Sequence, residues 1–440
     1  MQAGASRLEI TPPKGAPMGG YLARTKPAED VHDPLFARAL VLDDGAQRVA
    51  IVTADLLAFE PAAASAIRQR IEQATGIPPS HTMLALSHTH SGPIVAASHM
   101  GQPAAPYVEE LHDKLVAVVR AAAERLRPAG IGAGRAKVYL GVNRRMRAAD
   151  NRVVLGKNPA GYASPYAHIL VASELGGGPL ALLFTYGAHP VVLGPENLLI
   201  SGDYAGCAER IVEGNFGDTA VALFALGFAG DVNANFEERD FDEVETFGGA
   251  LGRAVLEEMK AIELTADAPL QARSLRVPLP LLSPPPIAEA QRVLYEERDR
   301  LTRLLGRGED STAINERRAM VEWAADLVRL AGENRPEHTV ELEIQVFTLG
   351  RIALVALSAE VFAEYAKLLD ELSPFAHTFP IGNANGDIGY VPTAAACEVG
   401  GYEIETAPRL LGTLAFRPQV EGIIRQALAD LLAEMARKNH

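Results

Sequence analysis

His88 and His90 stand one residue apart where the apolar run Met83, Leu84, Ala85, Leu86 gives way to the polar corner Ser91, Gly92, Pro93. An apolar run of this length, closed by turn-forming residues, predicts a buried strand ending at the two histidines. If the extended backbone persists through Thr89, period-two alternation puts both imidazoles on one face. Two converging imidazoles suit two tasks. One ring nitrogen can bind a divalent metal at about 2.0–2.1 Å, while the other ring moves a proton near neutral pH. The residues alone equally fit a structural strand end whose histidines hydrogen-bond to backbone.

HxH also opens the metal sites of metallo-β-lactamases and of amidohydrolase barrels. The former continue as HxHxDH, whereas Ser91, Gly92, Pro93 and Ile94 follow here. Further chemistry-bearing residues recur in the same context, after an apolar run. His189 follows the predicted strand Ala181–Tyr186, Glu360 follows Arg351–Leu357, and Asp55 ends Arg48–Asp55 with an alternative role as a helix cap. Two glycine-rich stretches, Met18–Tyr21 and Gly227–Asn235, suit close approach of backbone to a ligand, and a third, Gly382–Pro392, follows His377–Ile381. A basic loop is expected over Arg144–Arg152.

The elements that must carry these residues alternate between strand and helix. Leu35–Leu42 and Arg48–Asp55 read as a hairpin through Asp43–Gln47. Helices are expected over Ala62–Thr75 and Val108–Arg125, from after Asp203 to about Glu213, and over Asp242–Ile262 and Arg417–Lys438, with Ile287–Glu333 as a charged αα-hairpin broken near Gly306–Ser311. Strands are expected over Ala167–Glu174, Ala220–Leu226, Val340–Leu349 and His377–Ile381, with Arg7–Pro13 a short strand ending in a Thr-Pro-Pro turn and Lys137–Arg145 running from strand into the basic loop. Val277–Pro286 holds five prolines and looks like a linker, but strands resume after it, so no domain boundary is placed there.

Composition limits the partners. The 440 residues are 48% hydrophobic and 22% charged, enough for a large core, and the formal charge of −14 disfavours nucleic acid and anionic membrane surfaces. No stretch offers the roughly 18 consecutive apolar residues of a membrane span, and no secretory core is seen near Met1. With only Cys207 and Cys397, far apart in sequence, no disulfide framework is expected and a cytoplasmic location is the reading. The expected partner is a small or lipid-like substrate, and the oligomeric state stays open.

Taken in order, the motifs resemble the neutral/alkaline, non-lysosomal ceramidases. LSHTHSGP, GAHPVVLGPENLLISGD, GFAGDVNAN, NANGDIGYVPT and EVGGYE are similar to five successive segments of that family's catalytic domain. The resemblance implies a zinc ion held by His88, His189, Glu360 and Tyr402, with the metal lowering the pKa of a water to roughly 7. It further implies that His90 shuttles a proton, that Arg144 binds a substrate oxygen or the developing oxyanion, and that Asn233 lies where the family handles its amide. The activity implied is cleavage of an amide, in ceramide or another N-acyl compound.

Two departures weaken the case for ceramide itself. Asn233 replaces a serine of the family motif, and Leu411 stands where a tyrosine is expected. An ester or lactone of a small polar molecule is therefore the alternative substrate, and a non-catalytic metal-binding relative is the third reading. The fold expected is α/β, with mixed β-sheets sandwiched between α-helices, and 1–440 as a single catalytic domain without a C-terminal immunoglobulin-like domain. The amidohydrolase barrel is the runner-up, disfavoured because no eightfold βα period is seen.

Overall fold

The computed structural model describes residues 1–99, 101–217, 219–307, 311–333 and 335–437. It has four layers, helix, sheet, sheet, helix. An eight-stranded mixed sheet runs in the order Val221–Leu226, Pro179–Tyr186, Tyr166–Glu174, Arg127–Lys137, Gln2–Glu9, Phe36–Asp43, Arg48–Ala54, Thr82–Leu86. Only its two outermost pairs are parallel. Against one face packs a four-stranded sheet, Leu270–Pro280, Thr339–Leu349, Ile352–Leu357 and His377–Ile381.

Alternation within each strand builds these layers. Leu40 and Leu42 point inward, to pack with Phe347, Leu354 and Phe379 of the smaller sheet. Ala39 and Val41 point outward onto the helices Pro61–Thr75 and Ala105–Ala123, through Ile67, Ile71, Leu111 and Leu115. Leu182 and Phe184 likewise face the helices Asp203–Asn215 and Phe241–Glu258. Strands covered on both faces read as nearly continuous apolar runs, which is why the sequence shows them so plainly. The outer face of the smaller sheet is covered by Val420–Arg437 and Glu364–Leu372, through Ile424, Leu428, Leu432, Tyr365 and Leu369.

The larger sheet is two halves joined by only two residue pairs, Gln2 with Pro128 and Ala3 with Arg127. That narrow joint lets it curl, so that Val221–Leu226, at one edge, comes back against Arg48–Ala54 and Thr82–Leu86 at the other. The chain after Thr82–Leu86 and the chain after Pro179–Tyr186 are thereby brought to the same place.

Several expectations need adjustment. The segment Lys137–Arg145, expected to run from strand into loop, instead leaves the strand Arg127–Lys137 and enters a second strand, Gly141–Arg147, so Arg144 lies in a strand and not in a loop. Gly141–Arg147 pairs with Val153–Asn158 and Val232–Ala234 in a small third sheet. The proline-rich segment begins inside the strand Leu270–Pro280, and Pro278 and Pro280 are tolerated because it is an edge strand. The αα-hairpin is present as Ile287–Arg307 and Ser311–Gly332, with residues 308–310 of its predicted break outside the described residues, as is Lys438. Asp55 caps no helix. It is buried, accepting from Phe36 N and Arg38 Nη1.

Candidate metal centre

The strand Thr82–Leu86 stops at Leu86, and His88 takes a left-handed backbone with φ 64°. Alternation therefore does not align the two histidines as expected; a turn does. That turn is held on every side. Ser87 N donates to Ala54 O, His88 N to Leu56 O, and Thr89 Oγ1 to Ser201 O. A non-glycine residue in this region costs on the order of 1–3 kcal/mol and persists only where its surroundings over-determine it.

The rings of His88 and His90 lie 5.1 Å apart, those of His88 and His189 5.0 Å, and those of His90 and His189 5.9 Å. Each of the three offers a nitrogen within 4.8 Å of the others, so the group can hold a metal ion. His88 Nδ1 donates to Leu57 O at 2.7 Å, and His189 Nδ1 to Ala229 O at 2.9 Å. Carbonyls only accept, so both rings carry a proton on Nδ1 and turn Nε2 inward. Both Nε2 atoms face the same carboxylate oxygen, Glu360 Oε2, at 3.4 Å from His88 and 2.9 Å from His189. Glu360 is brought there by close backbone approach: a Cβ on Gly230 would meet Glu360 O at 2.4 Å.

His90 differs from its neighbours, because both of its ring nitrogens are buried without a hydrogen-bond partner. Its ring rests on Gly20, whose φ of 91° and lack of a Cβ are both required, since a Cβ would lie 2.5 Å from Nδ1. The glycine-rich loop expected to approach something thus approaches an imidazole. Burial, aided by any charge on His88 and His189, pushes the His90 pKa well below its ordinary value. Burial, with the Arg144 charge, lowers that of His189 to about 4. For Glu360, burial would raise the pKa, but the two imidazoles overcome it and hold the carboxyl well below the usual range.

Arg144 crosses the floor of the site. Its Nε donates to Glu403 Oε1 at 2.9 Å and its Nη1 to Asn233 Oδ1 at 3.2 Å, while its Nη2 is buried without a partner. Its guanidinium lies 5.2 Å from the ring centre of Tyr390 and 5.8 Å from that of Tyr402. The sequence-predicted residues His88, His90, His189, Glu360, Arg144 and Asn233 are therefore in one neighbourhood. Tyr402 joins it through Tyr390, at 6.1 Å between ring centres.

The residues missed by sequence reasoning are Tyr390 and Glu403. Tyr390 stacks on His189 with ring centres 6.4 Å apart, and its backbone pairs with that of Glu360. Glu403 anchors both Arg144 and Arg145. Both lie in motifs already singled out, Glu403 next to Tyr402 and Tyr390 within Gly382–Pro392. Two cavities, of about 310 and 760 Å³, meet at the centre, and Gly20, His90, Tyr390, Tyr402 and Leu410 line both. Leu411 lines the smaller one, with His88 and Glu360.

A mixed α/β sandwich with an imidazole and carboxylate cluster between two clefts is the class of protein that fold and site define. The family described as neutral/alkaline non-lysosomal ceramidase, N-terminal, matches residues 1–245, and the chain belongs to that family. Among solved structures it is similar to neutral ceramidase from Pseudomonas aeruginosa, at 21% identity and a TM-score of 0.73, covering 99% of this chain and 74% of that one. It is also similar to a ceramidase complexed with C2, at 19% identity and a TM-score of 0.74, covering 99% of this chain and 75% of that one. At these identities the likeness shows the fold.

Proposed function

We propose that the protein is a zinc-dependent hydrolase that cleaves an amide bond in ceramide or another N-acyl compound. The observation that carries this reading is the convergence of two inward-facing Nε2 atoms, whose Nδ1 atoms donate to carbonyls, on one carboxylate oxygen. With both rings neutral, three acceptors at such range repel one another unless a metal cation joins them, and two imidazoles with a carboxylate suit Zn²⁺. His88, His189 and Glu360 would hold it together with a phenol. The resemblance assigns that place to Tyr402, while contact with His189 and pairing with Glu360 favour Tyr390.

The metal supplies a water acidic enough to ionise near neutral pH. The chain's own residues do the rest. His90, unpartnered and lining both cavities, accepts a proton from water and delivers it to the leaving nitrogen. Arg144, oriented by Glu403 and Asn233, turns its free Nη2 to the oxygen on which charge develops. The apolar walls of the smaller cavity, Leu57, Phe59, Val95, Ile388 and Leu411, suit an acyl chain. An ester or lactone substrate is the second reading, favoured by Asn233 and Leu411 at positions where the family carries hydroxyls.

Among the described residues no helix is long and apolar enough to cross a membrane. A cytoplasmic location is proposed from the two free cysteines. The test is a zinc-loaded and a chelator-stripped sample assayed on long-chain ceramide, short N-acyl amides, esters and lactones. Zinc-dependent turnover of amides is expected, with poor long-chain ceramide turnover. Equal activity in the stripped sample, or cleavage of esters and lactones alone, would overturn the amide reading.

A further inference from the structure

We infer that the larger cavity selects a leaving group bearing a negative charge, so that the amide cleaved is an N-acyl amino acid; this rests on the hydrolase reading above. The chain carries a formal charge of −14, yet this cavity is lined by Arg144, Lys157, Arg239 and Arg317 against one acid, Glu316. Their existing partners do not cancel that excess. Glu403 is shared by Arg144 and Arg145, at 2.9 and 2.6 Å. Glu297 is shared by Arg300 and Arg317. Each pair of arginines therefore leaves one charge over. Lys157 is taken by Glu237 at 2.7 Å.

Arg239 makes no ion pair with a carboxylate among the described residues. Its guanidinium lies over the Phe236 ring at 4.5 Å, and Glu196 approaches the same Gly194 without pairing with it. One further donor on this wall, Arg317 Nε, is buried without a hydrogen-bond partner among the described residues. Buried guanidinium donors left unmet are costly, and a ligand carboxylate, which accepts two parallel N–H bonds, is the group that satisfies them.

The two cavities divide a substrate at the residues that line both. An acyl chain in the apolar cavity places its carbonyl beside His90, Tyr390 and Tyr402, and the amine half then enters the cationic cavity. In an N-acyl amino acid the carboxylate sits two bonds beyond the scissile nitrogen. Hydrolysis breaks the C–N bond. The water oxygen joins the acyl carbon, the nitrogen gains a proton, and a fatty acid and a free amino acid leave.

The test compares N-dodecanoylglycine with N-dodecanoylglycinamide, which differ in charge and hardly in shape. For the zinc-loaded enzyme kcat/KM should favour the carboxylate by roughly tenfold or more. Arg239→Ala should bring the ratio towards one, Arg239→Lys should keep part of it, and Arg239→Glu should invert it. Calorimetric binding of the two compounds to zinc-loaded His90→Ala should show the same order without turnover. Equal ratios and equal binding would overturn the anionic subsite while cleavage of both compounds left the hydrolase reading standing. If neither is cleaved, that reading fails, and preferential binding of the acylglycine alone still decides the subsite.

Discussion

Glu360 Oε2 and His189 Nε2 face each other at 2.9 Å, and in their ordinary protonation states both are hydrogen-bond acceptors. The His189 Nδ1 proton is committed to Ala229 O, so this imidazole has none to offer the carboxylate while it is neutral. A proton or a metal cation between them stabilises the pair, and His88 Nε2 faces the same oxygen at 3.4 Å.

His88→Ala and His189→Ala should each reduce bound zinc from about one per chain to near nil, since each removes one of few ligands. Elemental analysis of dialysed protein reads this. In the same assay Tyr390→Phe should weaken zinc binding by roughly tenfold or more and Tyr402→Phe by less, because Tyr390 is the phenol in contact with His189. The reverse order would restore Tyr402 as the ligand.

His90→Ala should retain its zinc. Turnover should fall by about 10²–10⁴, the usual contribution of a positioned acid-base group. Zinc loss as complete as in His88→Ala would mean that His90 is a ligand and that the proton carrier lies elsewhere.

Arg38 is buried among Asp55, Glu209 and Glu213, at 3.1, 2.7 and 3.3 Å. Burial, opposed in part by Arg38, raises the Glu209 pKa well above the carboxylate range. Arg38→Met takes the central cation from a buried cluster of three acidic side chains and should cost on the order of 3–5 kcal/mol in urea unfolding. An unchanged midpoint would show that Arg7, which also pairs with Glu213, suffices.

His168 is buried against Phe379, and burial, with the charges of Arg135 and His377, lowers its pKa to about 3. Below pH 6.5 the unfolded chain gains a proton that the folded chain refuses until about pH 3, so stability falls as pH drops through this window. From pH 7 to pH 5 the contribution is about 2 kcal/mol. His168→Phe should shrink the difference in urea-unfolding free energy between these two pH values by that amount, and an undiminished difference would place the titrating group elsewhere.

Most strands and helices were legible because two-sided burial writes long apolar runs into Phe36–Asp43, Pro179–Tyr186 and Ile352–Leu357. Arg144 was not legible as a strand residue. Its strand is short, polar and paired within a small outer sheet, so it lacks the apolar run that marks a buried strand. The site's residue types were legible from motif order.

What the sequence determined by itself is therefore most of the elements, the layered α/β class and the family to which the motifs belong. Its periodicities report only which near neighbours share a face. Tertiary structure decided that His88, His189 and Glu360 meet, because this needs a sheet joined by two residue pairs to curl until its edges touch. It also decided that a left-handed turn, not alternation, aligns His88 with His90, and that Tyr390 stands against His189 where Tyr402 does not. Those facts depend on contacts between segments far apart in the chain, which no local pattern encodes.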